Sequence, residues 1–388
     1  MNQKSYSKIL ILIILLGSTV LLYFFLSGWR PNVNFTNKVQ LSDLRIKQTG
    51  MISAKSQPEG ANVYLDDKLI TATNNSISGV DLGKHKLKIV KNGYITWEKE
   101  IEVFPELVTD ITAMLISQTP RLEPLTSTGA RKPTLSYSLE KLAFFSKDPE
   151  ASGVWIVSFK DQGLNFFANS AKNAVKDTNF VKYSDGKNIT WSPDEDELLI
   201  ETNDAKFYLV NLSTNNVSPI NNPNETKDTW NKKIQKKRLD FISKIEIPED
   251  RIKIASAEDT IWSPDNKKFI YKKIENSKIK YFIYNMETPL PVGEKIETQV
   301  LELDEKSPQP KITWYSDSFH IILVENFEDK NHKGKISIVR IDGTNKVEIY
   351  NNTLYSNDVY TTINGDKLVI LTTFKSGDQT DLYTLGIR

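Results

Sequence analysis

Asp194, Glu195, Asp196 and Glu197 are four consecutive acids, and His85, His320 and His332 are the three histidines of this 388-residue chain. These are the side chains best suited to hold a cation or to move a proton. Calcium loops place oxygen ligands at alternating positions around a sharp glycine turn. The acidic run has neither the alternation nor the glycine, so it reads as a solvated turn. The histidines are too scattered for a metal motif and read as structural. The chain has no cysteine, which excludes disulfides, thiolate metal sites and a lipoprotein anchor. No Gly-x-Ser-x-Gly elbow, His-Glu-x-x-His helix or phosphate-cradling glycine loop occurs. No catalytic, cofactor-binding or metal-ligating residue is therefore assigned, no cofactor is expected, and the expectation is a protein that is not an enzyme. A triad assembled from distant residues stays open.

Lys232, Lys233, Lys236, Lys237 and Arg238 form a basic cluster suited to anionic headgroups or wall polymers. With Asp228, Asp240 and Glu246 close by, the simpler reading is the solvated face of a helix. Trp97, Trp155 and Tyr315 have rings that stack on sugars, but at strand positions they read as core or blade-to-blade packing. The element carrying the basic cluster is an insert, "TKDTWNKKIQKKRLDFISKIEIPED". Its Trp230, Ile234, Phe241 and Ile245 fall at near-helical spacing. One amphipathic helix near 226–247 is expected, N-capped by Asp228 and with Pro248 beyond its end.

Ahead of everything stands an uncharged stretch, Ile9 to Leu26, in which fourteen of eighteen residues are Ile, Leu, Val or Phe. At about 1.5 Å per residue it spans roughly 27 Å, close to the ~30 Å hydrocarbon core. A transmembrane signal anchor over 9–28 is expected, with a cytoplasmic tail at 1–8. Lys4, Lys8 and the α-amino group set a cytoplasmic N-terminus, and the C-terminal bulk lies outside the cytoplasm. A cleaved secretory signal is the rival, but the apolar run is long and "YFFLSGWRP" lacks a small-x-small site. Residues 29–49 read as a polar linker.

Residues 50–117 change to period two. In "HKLKIVKNGY", Leu87 and Ile89 face one way and Lys84, Lys86 and Lys88 the other, a half-buried strand. Asn92-Gly93 turns the chain into "YITWEKEIEV". Several short antiparallel strands in so few residues predict a small β-sandwich. The segment also resembles a PEGA domain, through Pro58-Glu59-Gly60-Ala61, Leu82-Gly83-Lys84-His85 and Lys91-Asn92-Gly93-Tyr94. "TATNNS" (Thr71 to Ser76) departs from the family's Gly-x-Thr-Pro. The resemblance implies a surface module without catalysis.

From 118 to 388 one unit recurs, at 135–146, 189–202, 260–273, 312–325 and 359–373. Each has an aromatic or apolar lead, a polar turn and an apolar strand, and most are followed by a further strand. The leads Tyr137, Trp191, Trp262 and Trp314 are 54, 71 and 52 residues apart, spacings that point to a β-propeller. In "WSPD", Pro193 and Pro264 pre-set a tight turn and Asp194 and Asp265 can bond its backbone. Trp191 and Trp262 are expected between neighbouring blades. These units resemble the WD-like repeats of the Tol-system periplasmic propeller family. Five units are visible, and a degenerate sixth has room between 150 and 190.

The fold expected is thus mainly β: an N-terminal transmembrane helix, a small PEGA β-sandwich and a C-terminal propeller of about five to seven blades. Basic and acidic residues balance at 50 against 49, which leaves no field for nucleic acid. The expected localisation is the inner membrane, single-pass, with the C-terminal domains extracytoplasmic. The function expected is non-catalytic: an envelope protein whose PEGA and propeller domains bind a protein or a cell-wall glycan. The alternative is a structural subunit of an envelope or secretion complex that binds through the 226–247 helix. A propeller hydrolase or lyase ranks below both. No motif identifies the binding residues or the oligomeric state.

Overall fold

The computed structural model describes residues 3–26, 29–32, 45–159, 171–374 and 379–388. The chain divides into two compact units, 1–118 with 289–294, and 119–288 with 295–388.

The first unit begins with helix α1 (Gln3–Leu26), whose described side chains, 10–24, are all exposed. Among the described residues no helix is long and apolar enough to cross a membrane. Strands β1 (Trp29–Asn32) and β2 (Arg45–Gln48) pair antiparallel, so the stretch read as linker holds a strand pair. The rest of that linker, 33–44, lies outside the described residues.

Next comes a two-layer sandwich. One sheet has the order β6 (Asn75–Val80), β3 (Gly50–Gln57), β9 (Val108–Met114). The other runs β5 (Lys68–Ala72), β4 (Asn62–Leu65), β7 (Gly83–Val90), β8 (Trp97–Val103). The expectation of antiparallel strands fails at one place, where β3 and β9 pair in parallel. Parallel partners need a long crossover, and here the whole second sheet lies between them in sequence. Leu87, Ile89, Val63, Ile52 and Trp97 fill the core. Lys84, Lys86 and Lys88 stand on the outer face beside Glu100 and Glu98 of β8. In the divergent "TATNNS", Thr73 Oγ1 accepts from Ala61 N at 2.9 Å and shares a hydrogen bond with Ser56 Oγ at 2.7 Å. Asn74 takes the left-handed backbone.

The second unit opens on β10 (Arg121–Pro124) and continues as four-stranded antiparallel meanders. Blade 1 is β11 (Arg131–Leu135), β12 (Lys141–Ser146), β13 (Gly153–Ser158) and β14 (Ala171–Lys176). Blade 2 is β15 (Asn188–Trp191), β16 (Glu197–Glu201), β17 (Phe207–Asn211) and β18 (Asn216–Ile220). Two helices follow, α2 (Pro223–Ile242) and α3 (Glu249–Ala255). Blade 3 is β19 (Ile261–Trp262), β20 (Lys268–Glu275), β21 (Lys278–Asn285) and β22 (Glu297–Asp304). Blade 4 is β23 (Lys311–Trp314), β24 (His320–Glu328), β25 (Lys333–Arg340) and β26 (Val347–Thr353). Blade 5 joins both ends of the unit, because β27 (Tyr360–Thr361), β28 (Lys367–Thr372) and β29 (Asp381–Gly386) are completed by β10. Among the described residues the sheets number five. Of the room left for a sixth, 150–190, the described residues form β13, β14, a single turn at Tyr183–Asp185 and the start of β15, and 160–170 lie outside the described residues.

Burial follows position in the blade. Second strands are buried on both faces, as in "KLAFFS" of β12 and "KLVILT" of β28, whereas the fourth strands β14, β18 and β26 are mostly open. A strand covered on both sides reads as a continuous apolar run, without alternation. Separate cores join blade 1 to blade 2, blade 3 to blade 4, and blade 5 to blade 1. A fourth core joins blade 3 to the helices.

The insert differs from its expected form. It starts at Pro223, capped by Asn222, whose side chain accepts from Glu225 N. Proline fits the first helical position because its missing N–H has no partner there anyway. Asp228 lies inside α2. The chain breaks after Ile242 and restarts as α3 with Pro248 as its cap, so there are two helices where one was expected.

Candidate functional site

The five blades share one turn. It is built from Ser136 to Leu139, Ser192 to Glu195, Ser263 to Asn266, Tyr315 to Ser318 and Thr362 to Gly365. In each, the fourth residue's N–H donates to the first residue's carbonyl at 2.9–3.2 Å. That fourth residue always has the left-handed backbone, with φ between 55° and 63°. Proline at the second position, in Pro193 and Pro264, pre-sets the turn. Asp265 Oδ1 accepts from Lys267 N at 2.9 Å, as the motif suggested. Asp194 instead pairs with Lys233 of α2, and Asp196 takes the hydroxyl of Ser192 at 2.9 Å.

The strands leading into these turns are tied side to side. Trp191 Nε1 donates to Thr134 O at 3.1 Å, and Trp314 Nε1 to Ile261 O at 2.9 Å, each reaching the first strand of the preceding blade. Trp262 breaks the series: its Nε1 donates to Ala255 O of α3 at 3.0 Å. The helices thus stand where a preceding blade would be. Trp191 sits between blades as expected, while Trp262 packs on helices. Tyr360 closes the circuit by donating to Pro133 O.

Residues of the first strands of blades 1, 3, 4 and 5, with the turns of blades 1 to 3, line an open axial cavity of about 500 Å³. Every blade contributes to its wall, through Tyr137, Pro193, Trp262, Trp314 and Val359 among others, and α2 adds Ile234, Lys237 and Arg238. Among the described residues the wall carries one carboxylate, Asp358, and no histidine. Asp358 is held by Lys311 at 3.0 Å. Tyr137 is 50% exposed. Arg238 lies over the Trp262 ring, its Cζ 4.9 Å from the centroid. Burial pulls this guanidinium below its ordinary pKa, with Tyr137 opposing.

The residues singled out in the sequence do not converge. Glu195 reaches across to blade 1, where Ser138 Oγ donates to it at 2.9 Å, and burial beside Asp196 raises Glu197. Among the described residues no group of three or more His, Asp or Glu is arranged to hold a metal. His85 lies in the sandwich, His320 is buried against Asp317 at 2.7 Å, and His332 stacks on Tyr355. Trp97 and Tyr315 are buried, and Trp155 donates to Ala151 O at 2.9 Å. Of the basic cluster, Lys232, Lys233, Lys236 and Lys237 are exposed and Arg238 is half-buried, and of these Lys237 and Arg238 line the cavity. Arg238 escaped sequence reading as a separate residue because helical spacing ranks it with its solvated neighbours. Its place one position beyond Lys237, four after Ile234, was the available signal.

Residues 49–118 match the family model of the PEGA domain. No curated protein matches the chain. Among solved structures, TolB from Acinetobacter baumannii is 14% identical, with 84% of this chain and 63% of that chain covered and a TM-score of 0.26. The chain therefore spans less than two thirds of that protein. Oligogalacturonate lyase from Vibrio parahaemolyticus is 9% identical, covering 69% of this chain and 97% of that one, with a TM-score of 0.30. The β-propeller domain of the Trilobed protease from Pyrococcus furiosus is 11% identical, covering 68% and 72%, with a TM-score of 0.22.

Proposed function

We propose that this is a non-catalytic, membrane-anchored envelope protein whose propeller binds a partner, a protein or a cell-wall glycan, at its axial cavity. The observation that carries the reading is the cavity itself. Its volume lies within the roughly 300–1,000 Å³ usual for ligand sites, and its wall is assembled from all five blades and α2. Rigid strands hold adaptable turns at its rim, the usual division of labour in binding folds.

The anchor is the apolar run 9–26 carried in α1. Ser18 Oγ donates to Leu15 O and Thr19 Oγ1 to Leu16 O, each at 2.8 Å. Such bonds satisfy hydroxyls inside an apolar solvent. The charges of Lys4 and Lys8 ahead of it support a topology in which the sandwich and propeller lie outside the cytoplasm.

A photo-crosslinking residue at Tyr137 in living cells tests the binding surface. It is expected to trap a partner, while the same probe at Ser218 on outer strand β18 traps none. Equal capture at both positions, or none at either, would refute the reading. Protease added to intact spheroplasts should cleave the C-terminal unit, and its survival would overturn the topology.

A further inference from the structure

We propose that the axial cavity binds a carboxylate carried on an apolar stem, with the Arg238 guanidinium as its anchor. The proposal rests on the cavity being the binding surface argued above. Among the described residues Arg238 pairs with no acid, and its buried Nε has no hydrogen-bond partner. The residue as a whole is half-buried, so the unpaired Nε is the donor that a ligand entering the cavity could satisfy. Here the guanidinium carbon lies 4.9 Å from the centroid of the Trp262 ring, a cation–π contact that uses no N–H donor. A planar fork of such donors matches a carboxylate in bidentate fashion, which an ammonium does not do.

The remaining wall sets the stem. Leu139, Ile234, Ile261 and Val359 line the cavity together with the half-exposed ring of Tyr137. Lys237 adds a second positive charge at the wall, while the lone acid is neutralised by Lys311. The guanidinium fork matches the two oxygens of a carboxylate, the apolar side chains suit its stem, and the hydroxyls of Thr134, Ser136 and Thr361 complete the wall.

The test uses the full chain in detergent micelles, with tryptophan fluorescence as the readout, because Trp262 and Trp314 both line the cavity. The probes are 3-phenylpropionate, 3-phenylpropanamide, and N-acetylated Ala-Ala-Phe as free acid and as C-terminal amide. Saturable quenching by the acids, at least tenfold weaker with the amides, is expected. Arg238→Gln should abolish it, Arg238→Lys should weaken it, and Lys232→Gln on the exposed helix face should leave it unchanged. A tighter peptide acid would identify a polypeptide terminus as the source, and a small acid of equal affinity a free organic acid. Equal response to acids and amides, binding that survives Arg238→Gln in a variant with an unaltered thermal transition, or preference for inorganic phosphate would each overturn the proposal. If crosslinking at Tyr137 persists while no probe binds, the cavity remains the binding surface and only its carboxylate chemistry fails.

Discussion

At the scale of single residues, His85 carries more information than its sequence position suggested. Its Nδ1 meets Asp66 Oδ2 at 2.7 Å and its Nε2 meets the Asp81 carbonyl at 2.8 Å. Both partners only accept, so both ring nitrogens must donate, and that requires the imidazolium. Burial opposes the charge, but Asp66 and Asp81 together raise the pKa above its ordinary 6.5. The stabilisation is complete below about pH 6.5 and lost as pH rises through the raised value. Asp66 is lowered by His85 and by Lys86 N–H, so its share is present above about pH 4 and lost in more acidic solution. The sandwich should therefore melt highest in mildly acidic buffer. His85→Gln should flatten that dependence at a cost of about 1 kcal/mol, because Asp66 is half exposed; thermal melts across pH measure it. Gly365 is a second case. It shares its left-handed backbone with Leu139 and Glu195, but an added Cβ would lie 2.7 Å from Ser316 Oγ and 3.0 Å from Tyr315 Oη. Gly365→Ala is expected to destabilise the propeller by about 1–3 kcal/mol, read by urea denaturation.

At the scale of elements, the insert is the most consequential departure from expectation. α2 and α3 present Ile242, Ala255 and neighbouring apolar residues to Phe269, Tyr271 and Tyr284 of blade 3. A polar clamp fixes them: Arg251 donates to Glu297 Oε2 at 2.8 and 3.0 Å, and Tyr271 donates to Glu297 Oε1 at 2.6 Å. Arg251→Ala leaves Glu297 with Tyr271 and with Lys273 at 3.6 Å, and should cost about 1–3 kcal/mol. Hydrogen exchange at α3 amides should rise before exchange in blades 4 and 5; uniform acceleration would show instead that the helices do not open separately. The helix was legible in the spacing of Trp230, Ile234 and Phe241. Its start was legible too, in Asn222-Pro223, but Asp228 offered a competing cap. The break at Ser243 was hidden, because Ile245 continues the periodicity although it belongs to the connection.

At the scale of the whole molecule, closure of the ring joins residues more than 250 positions apart. β10 pairs with β29, and the buried Asp381 accepts from Thr126 Oγ1 at 3.0 Å and Gly129 N at 2.9 Å. Removing that acceptor leaves a backbone N–H unpaired, so Asp381→Ala should lower the stability of the propeller by about 2–3 kcal/mol in equilibrium denaturation while sparing the sandwich transition. Local pattern was enough to specify mainly β structure, the sandwich segment and the five repeats. A two-residue period, turn residues and apolar second strands are properties of neighbouring positions. Tertiary contact alone decided the count of blades, because the outer strand of the last one comes from the start of the unit. It also decided that Trp262 meets helices where Trp191 meets a blade, since the two share the same "WSPD" context. Arg238 belongs to the same class: five basic residues look alike in order, and only the fold turns one guanidinium onto a tryptophan at the wall of the cavity and leaves Lys232 in water.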